Sequence, residues 1–349
     1  MKPKKIHVLS IGPVSYVGGI NVHMIRLAAL LDGIVVFDFI DDAPPQIATD
    51  VSICIRKANS IPHVLRKIWQ SDIVHIHSGN WLLRILLVLI CCLLQAKVVI
   101  TLHSYRFSGL KKLLSDAVLR LANEVICVNP DIKSSSKRAD ALVKEAFIPP
   151  VDAESRDLPD EIDAFINRHR GSLLICANAY RLARHEGKDL YGLDQCLAVA
   201  RQAKIAGDNI VILFVVGTVT ASDDLYHSAQ RAIEDEGLDE FICIYPKSLD
   251  FITLIRRSDI VIRPTITDGD ALTIREAIFL GKPVIASNVV ARPAGTVTYR
   301  SGNAEDLYAA IRSVASALAS GDRPTDQAET CSMDLYKQFY LEVYEKCIS

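Results

Sequence analysis

Two carboxylates, Asp268 and Glu276, stand with seven residues between them in the stretch 263–288, RPTITDGDALTIREAIFLGKPVIASN, whose residue types point to ligand chemistry. The stretch reads as strand, loop, helix, strand. DIVIRP, ending at Pro264, has the length and branched residues of a buried strand, and TDGDAL is a polar loop. A helix is expected from Thr273 to a stop at Gly281, followed by the short strand VIAS. A loop that opens a helix leaves backbone N–H groups unpaired, and the helix dipole adds to their attraction for an anion. Phosphates would go to the amides of Ala271, Leu272 and Thr273. Carboxylates beside a phosphate suit hydroxyl groups, so Asp268 and Glu276 are read as acceptors from sugar and ribose. Two plainer readings stand beside this one. Acidic residues can simply complement the dipole of a solvated helix start, and Asp268-Gly-Asp270 can be a metal-binding DxD pair.

The stretch resembles the C-terminal motif of retaining GT-B glycosyltransferases, in the family that includes sucrose synthases and bacterial mannosyltransferases. In that family a Glu, seven residues and a second Glu bracket the nucleotide-sugar. The resemblance implies a catalytic Asp268 touching the transferred sugar and Glu276 holding the ribose. Asp in place of Glu shortens the first reach by a methylene. Further matches extend the implied site. His103, in TLHSYR, resembles the strand-end histidine that faces the sugar, and Gly19, of the pair Gly18-Gly19, resembles the glycine beside the donor phosphate. Arg181, in AYRLARHEGKD, matches the first of two cations that clasp the diphosphate. At the usual spacing the second position is Glu186, so Lys188 is assigned through a longer loop, with Arg184 as the alternative cation. The resemblance implies no metal, because these cations and the helix dipole would neutralise the leaving diphosphate.

The elements that must position these residues follow from apolar runs. HVLSIG, from His7 to Gly12, is a first strand. GIVVFDF, VSICI near position 52, DIVHIHS, KVVITLHS and EVICVN continue the series, with helical patterns between them. Strand alternating with helix means a parallel sheet covered on both faces, which binds ligands outside the carboxyl ends of its strands. His77 and His103 both end strands; His75 is read as facing the other way, into the packing. FIPPVDAESRDLPDEID breaks the pattern with three prolines and a run of acids, as a linker does. SLLICAN, NIVILFVVG, FICIYP and DIVIRP then build a second doubly wound domain. The expected fold is α/β, GT-B, with two Rossmann-like domains and the active site in the cleft between them. Residues 1–150 form the first domain, 151–170 the linker and 171–330 the nucleotide-sugar domain. The helical segment 331–349 crosses back onto the first domain, with Leu335, Phe339, Leu341 and Tyr344 as its packing face.

A length of 349 residues suits two domains, and 50% hydrophobic against 23% charged residues describes a folded core. A net charge of -2 excludes bulk nucleic-acid binding. The nine cysteines lack metal-ligand spacing, and most lie in apolar runs, as in a reducing cytoplasm. The start MKPKK leads straight into a strand without a leader segment, so a cytoplasmic location is expected. LLRILLVLICCLL, from Leu82 to Leu94, is too short to span a bilayer and is either a buried helix or one lying on the inner membrane surface.

These readings converge on a metal-independent, hexosyltransferase-type enzyme. It would move a sugar with retention from a UDP- or GDP-sugar to a carbohydrate or lipid-linked acceptor, in the biosynthesis of bacterial surface polysaccharide or glycoconjugate. No further cofactor is expected. A GT-B sugar-nucleotide epimerase and a catalytically silent nucleotide-sugar-binding module are the rival readings.

Overall fold

A computed structural model describes residues 5–14, 19–42, 55–57, 61–105, 107–150, 157–268, 271–321 and 333–349. The chain divides into two compact units, Met1–Asp152 with Ser332–Ser349, and Ala153–Cys331.

In the first unit the strands are β1 (Ile6–Gly12), β2 (Val35–Asp41), β3 (Ile55–Lys57), β4 (Ile73–Ile76), β5 (Lys97–Leu102), β6 (Glu124–Cys127) and β7 (Leu142–Val143). Between them run α1 (Gly19–Leu30), α2 (Ile61–Gln70), α3 (Trp81–Leu93), α4 (Gly109–Leu119) and α5 (Pro130–Ser136). The sheet order is β3-β2-β1-β4-β5-β6-β7, and every pairing in it is parallel. The strand expected at VSICI lies mainly outside the described residues; the strand that is described there begins at Ile55. Branched apolar runs such as IVHI and KVVITL are buried on both faces because helices cover both sides of the sheet.

The second unit begins with α6 (Asp160–Arg168), then β8 (Leu173–Ala179), β9 (Arg184–His185), β10 (Lys188–Asp189), α7 (Leu193–Ala206), β11 (Ile210–Val216), α8 (Asp224–Glu236) and β12 (Ile242–Tyr245). It continues with α9 (Phe251–Arg257), β13 (Ile260–Arg263), α10 (Leu272–Phe279), β14 (Val284–Ser287), β15 (Thr296–Tyr299) and α11 (Ala304–Ser320). Its sheet, β12-β11-β8-β13-β14-β15, is again parallel throughout. Counted from the first strand of each unit, both sheets read 3-2-1-4-5-6, the order of the Rossmann fold. β9 and β10 form a separate antiparallel hairpin, turned by Glu186 and Gly187 at φ 50° and 78°. Two consecutive positive φ values are those of the tight turn that matches strand twist.

Three expectations are corrected. The span read as a linker, 151–170, is structured from 157 onward. Leu158, Ile162 and Phe165 are buried in the core of the second unit, because the acids of DEID face outward from an amphipathic helix. The terminal helix α12 (Met333–Ile348) belongs with the first unit, but its buried face is Tyr336, Tyr340, Val343, Tyr344 and Cys347. Of the face expected there only Tyr344 is fully buried, and Leu335 is exposed, since tyrosines with hydrogen-bond partners outcompete it for the interior. His75 does not face away from His77. Residues two apart on a strand share a face, and the two rings lie 4.0 Å apart.

One glycine has no substitute. Gly192 caps the start of α7 at φ 72°, where a Cβ would lie 2.0 Å from the Pro264 carbonyl oxygen. Gly171, at φ 94°, has open space around it. Gly192→Ala is therefore expected to lose about 2–5 kcal/mol of stability, strain and overlap together, whereas Gly171→Ala loses only about 1–2 kcal/mol. Urea unfolding of the two variants beside the parent measures both, and equal losses would contradict the role of the Pro264 contact.

Candidate functional site

In a doubly wound sheet the crossover helices leave on opposite faces where the order reverses, which opens the carboxyl edge at that point. The reversal falls between β8 and β13 in the second unit and between β1 and β4 in the first. The residues singled out by sequence collect at these two edges.

In the second unit, β8 leads into Tyr180 and Arg181, and Arg181 is exposed. β13 leads through Pro264 and Thr265 to Asp268, after which α10 begins. The helix starts at Leu272, one residue before the expected Thr273, and its N-cap residue is Ala271, whose side chain offers no cap. Among the described residues the first-turn amides thus have no side-chain cap from the N-cap position. The Thr273 hydroxyl donates to Asn178 Oδ1 at the end of β8, at 3.3 Å, which ties α10 to the neighbouring strand. Glu276, one turn on, is buried at 8% exposure. Gly269 and Asp270, and with them the DxD reading, lie outside the described residues.

Asp268 has surroundings unlike those expected of a carboxylate free to grip a sugar. Its Oδ1 accepts from Arg263 Nη2 at 3.2 Å, and its Oδ2 accepts from Arg292 Nη1 at 2.9 Å and from Thr265 Oγ1 at 3.2 Å. The side chains of Asp268 and Arg292 are 7% and 3% exposed. Burial by itself would raise the carboxyl's pKa; the Arg263 guanidinium, and then Arg292, outweigh it and hold the group below the usual carboxylate range. Arg292 also donates to the Ser287 carbonyl at 2.9 Å, while Ser287 Oγ donates to the Thr265 carbonyl at 2.6 Å. Gln195 Nε2 donates to the Pro264 carbonyl at 2.8 Å, and Tyr299 to Gln195 Oε1 at 2.8 Å. Asp268, expected to touch the transferred sugar, is thus bonded to two guanidiniums and ties the β13–α10 loop to them. Arg263 and Arg292 are residues that sequence reasoning missed. Arg263 ends the strand beside the motif, but Arg292 stands 24 residues from Asp268 and gives no local signal.

Lys188 and Arg184 sit on the β9–β10 hairpin, on opposite faces. Lys188 pairs across the hairpin with His185, and both are exposed. Arg184 pairs across with Asp189, which is buried, and its guanidinium reaches Asp224 at 3.4 Å. Both partners of that ion pair are well exposed, so it binds Arg184 weakly.

In the first unit, β1 ends at Gly12, where a Cβ would lie 2.8 Å from Met24 Sδ and 3.0 Å from His77 Cβ; only glycine lets these side chains close over the strand end. Gly19 is the exposed first residue of α1, and Gly18 lies outside the described residues. His103 follows β5 and is half-buried, with Nε2 3.3 Å from His77 Nδ1. His23 of α1, which the sequence reading did not single out, completes the group: its ring centroid is 5.0 Å from that of His103 and 5.4 Å from that of His77. His23 Nδ1 donates to the Ala146 carbonyl at 2.8 Å, and His75 bridges Tyr344 and Thr101 at 2.8 Å each. Burial holds His23 down to about 4, and burial with mutual repulsion holds His75, His77 and His103 well below the ordinary imidazole range. The rings are neutral at pH 7 and act as hydrogen-bonding or ligating groups.

No protein-family model and no curated protein matched the chain. Solved structures do match along its whole length. A glycosyltransferase from Rickettsia africae superposes with a TM-score of 0.75 at 18% identity, covering 99% of both chains. Anabaena Alr3699/HepE in complex with UDP superposes at 0.72 and 14% identity, covering 97% of this chain and 100% of that one, and it has also been solved with UDP-glucose. Sucrose-phosphate synthase from Thermosynechococcus elongatus gives 0.62 at 14%, over 98% and 100%. The fold is that of GT-B glycosyltransferases.

Asp268→Ala should leave two guanidiniums buried without their counter-charge, a loss of about 3–5 kcal/mol. Denaturant unfolding and melting temperature measure it. A variant as stable as the parent would return Asp268 to a purely ligand-facing role.

Proposed function

We propose that this protein is a glycosyltransferase that takes its sugar from a nucleoside diphosphate donor. The observation that carries the reading is the start of α10, without a side-chain cap, at the switch point of the second sheet beside the exposed Arg181, in a chain with the GT-B fold throughout. A UDP-sugar is the donor of choice, since the similarly folded HepE has been solved with UDP and UDP-glucose.

In this reading the diphosphate lies on the amides of Ala271, Leu272 and Thr273, and Glu276 accepts from ribose hydroxyls. The bond between the anomeric carbon and the phosphate oxygen breaks, and negative charge grows on the departing diphosphate. Arg181, with Lys188 as its partner cation, stabilises that charge. The acceptor oxygen forms the new bond on the face the diphosphate leaves, so configuration is retained, and the departing phosphate takes the acceptor's proton. His103 contacts the sugar as a neutral hydrogen-bonding ring. Asp268 serves indirectly, by holding the loop that presents the amides. Neutralisation by the chain's own cations makes this a metal-independent hexosyl transfer with no further cofactor.

Glu276→Ala is expected to weaken UDP by about 1.5–3 kcal/mol, roughly ten- to a hundredfold. Arg181→Ala and Lys188→Ala should cut release of UDP from a UDP-sugar far more than they weaken UDP itself. Calorimetric titration with UDP and a turnover assay over a panel of UDP- and GDP-sugars test this. Binding with an altered sugar nucleotide and no UDP release marks an epimerase, and binding without turnover a silent module. Unchanged UDP affinity in the Glu276 variant removes its ribose role, and activity lost with Arg184→Ala but kept with Lys188→Ala exchanges the two cations.

The acceptor we propose is carbohydrate or lipid-linked, as for a bacterial surface polysaccharide or glycoconjugate, with the protein cytoplasmic and peripheral on the inner membrane face. Supporting this, α3 buries Leu87, Val88 and Cys91 and exposes Leu82, Leu86, Leu89 and Leu93. α4, packed beside it, exposes Leu110 and Leu113 together with Lys111. No helix among the described residues is long and apolar enough to cross a membrane. Apolar side chains beside cations suit an anionic lipid surface. Flotation with phosphatidylglycerol vesicles should be salt-sensitive and be lost in the double variant Leu93→Asp, Leu113→Asp. Equal flotation of parent and double variant would sink the membrane assignment.

A further inference from the structure

We propose that His23, His77 and His103 form a binding site for a single transition-metal ion of the Zn²⁺ class in the first unit. The three rings come from α1 and from the carboxyl ends of β4 and β5, and their ligating nitrogens all lie within 4.8 Å of one another. His77 Nδ1 and His103 Nε2 are 3.3 Å apart. Two imidazole nitrogens, each about 2.0–2.1 Å from a tetrahedral Zn²⁺, stand at about that separation. An ion would replace this one imidazole–imidazole hydrogen bond and draw in the third ring, whose ligating nitrogen lies within 4.8 Å of the other two.

The surroundings favour an ion over simple packing. His23 donates its Nδ1 proton to the Ala146 carbonyl, so its Nε2 carries the lone pair, and the Tyr340 hydroxyl 3.4 Å away is what an ion would displace from it. A backbone carbonyl on the distal ring nitrogen is the arrangement that fixes the tautomer of metal-ligating histidines. The Nε2 of His77 is buried with no hydrogen-bond partner among the described residues, so no acceptor on that side fixes which nitrogen of this ring carries the proton. His103 is half-buried, which gives the ion an entrance and an open fourth position for water. Three nitrogen ligands suit Zn²⁺, Co²⁺ or Ni²⁺ and not Mg²⁺ or Ca²⁺, which take oxygen ligands. An ion here would engage His103 and so withdraw it from the sugar contact proposed above, but the site itself does not depend on that reading.

The full-length protein, stripped with a chelator, is titrated with Zn²⁺ alone by calorimetry and with Co²⁺ alone by visible absorption. One Zn²⁺ per chain and the intense bands of tetrahedral Co²⁺ are expected. His23→Gln and His103→Gln should each weaken Zn²⁺ by more than about tenfold. His185→Ala and His227→Ala, exposed controls, should change nothing. His103→Gln alters a half-buried ring, so its folding is checked by melting temperature, and the Co²⁺ spectrum of the parent needs no variant at all. Weak octahedral-type Co²⁺ bands in the parent, or equal Zn²⁺ affinity in parent and folded variants, would overturn the site. A filled site removes only the His103 contact from the reading above, and release of UDP from a UDP-sugar tests that reading separately.

Discussion

The reversal of strand order beside the first strand of each sheet is the constraint on which the rest depends. A parallel strand can join its neighbour only through a crossover, and where successive crossovers leave on opposite faces the loops at the carboxyl edge part. β1 and β4 part in this way in one unit, and β8 and β13 in the other. Arg181, Asp268, Glu276 and His77 lie within a few residues of those strand ends or on the helix that follows, and His103 ends the neighbouring strand β5. Strand interiors carry the core, and chemistry is left to the places where the backbone leaves the sheet.

Opening an edge also exposes loop backbone, which must be held for its amides to stay in place. In the second unit this is done by groups far apart in sequence. Gln195 and Ser287 hold the carbonyls of Pro264 and Thr265, Arg292 holds Ser287, and Asp268 joins Arg263 to Arg292. A buried carboxylate between two guanidiniums is expensive to strip of water and more expensive to leave half-paired, so the loop has one favourable arrangement. Such preorganisation lets helix amides meet a charged ligand without first rearranging.

The first unit solves a different problem. Four imidazoles are packed near the ends of β4 and β5, where solvent cannot satisfy them, and α12 supplies part of the remedy. Tyr344 bonds to His75, and Tyr340 lies 3.4 Å from His23 Nε2. Lys346 pairs with Glu124 at 2.6 Å on the same helix. The last helix of the chain is thus tied to the unit formed by its beginning through polar bonds within an apolar interface, which gives it a definite register that leucines alone would not impose.

By itself the sequence determined the class of fold and the location of most strands, because a strand buried on both faces must be a short run of branched apolar residues wherever it sits. β1, β4, β5, β6, β8 and β11 to β14 were legible on that ground, and so was the helix start after Asp268. β7, β9, β10 and β15 were not, being short or polar and defined only by a neighbour to pair with. Residue type and position at a helix start marked Glu276 as a candidate, while His103 and Arg181 were marked by their resemblance to a family's motifs. Only the tertiary structure decided which partner each polar group keeps. It set Arg292 on Asp268, His23 beside His77 and His103, and Tyr344 on His75, pairings that span 24 to 269 residues. The physical reason is that apolar periodicity is a property of adjacent residues, whereas the partner of a buried charge or imidazole is whatever the folded chain brings within about 3 Å of it.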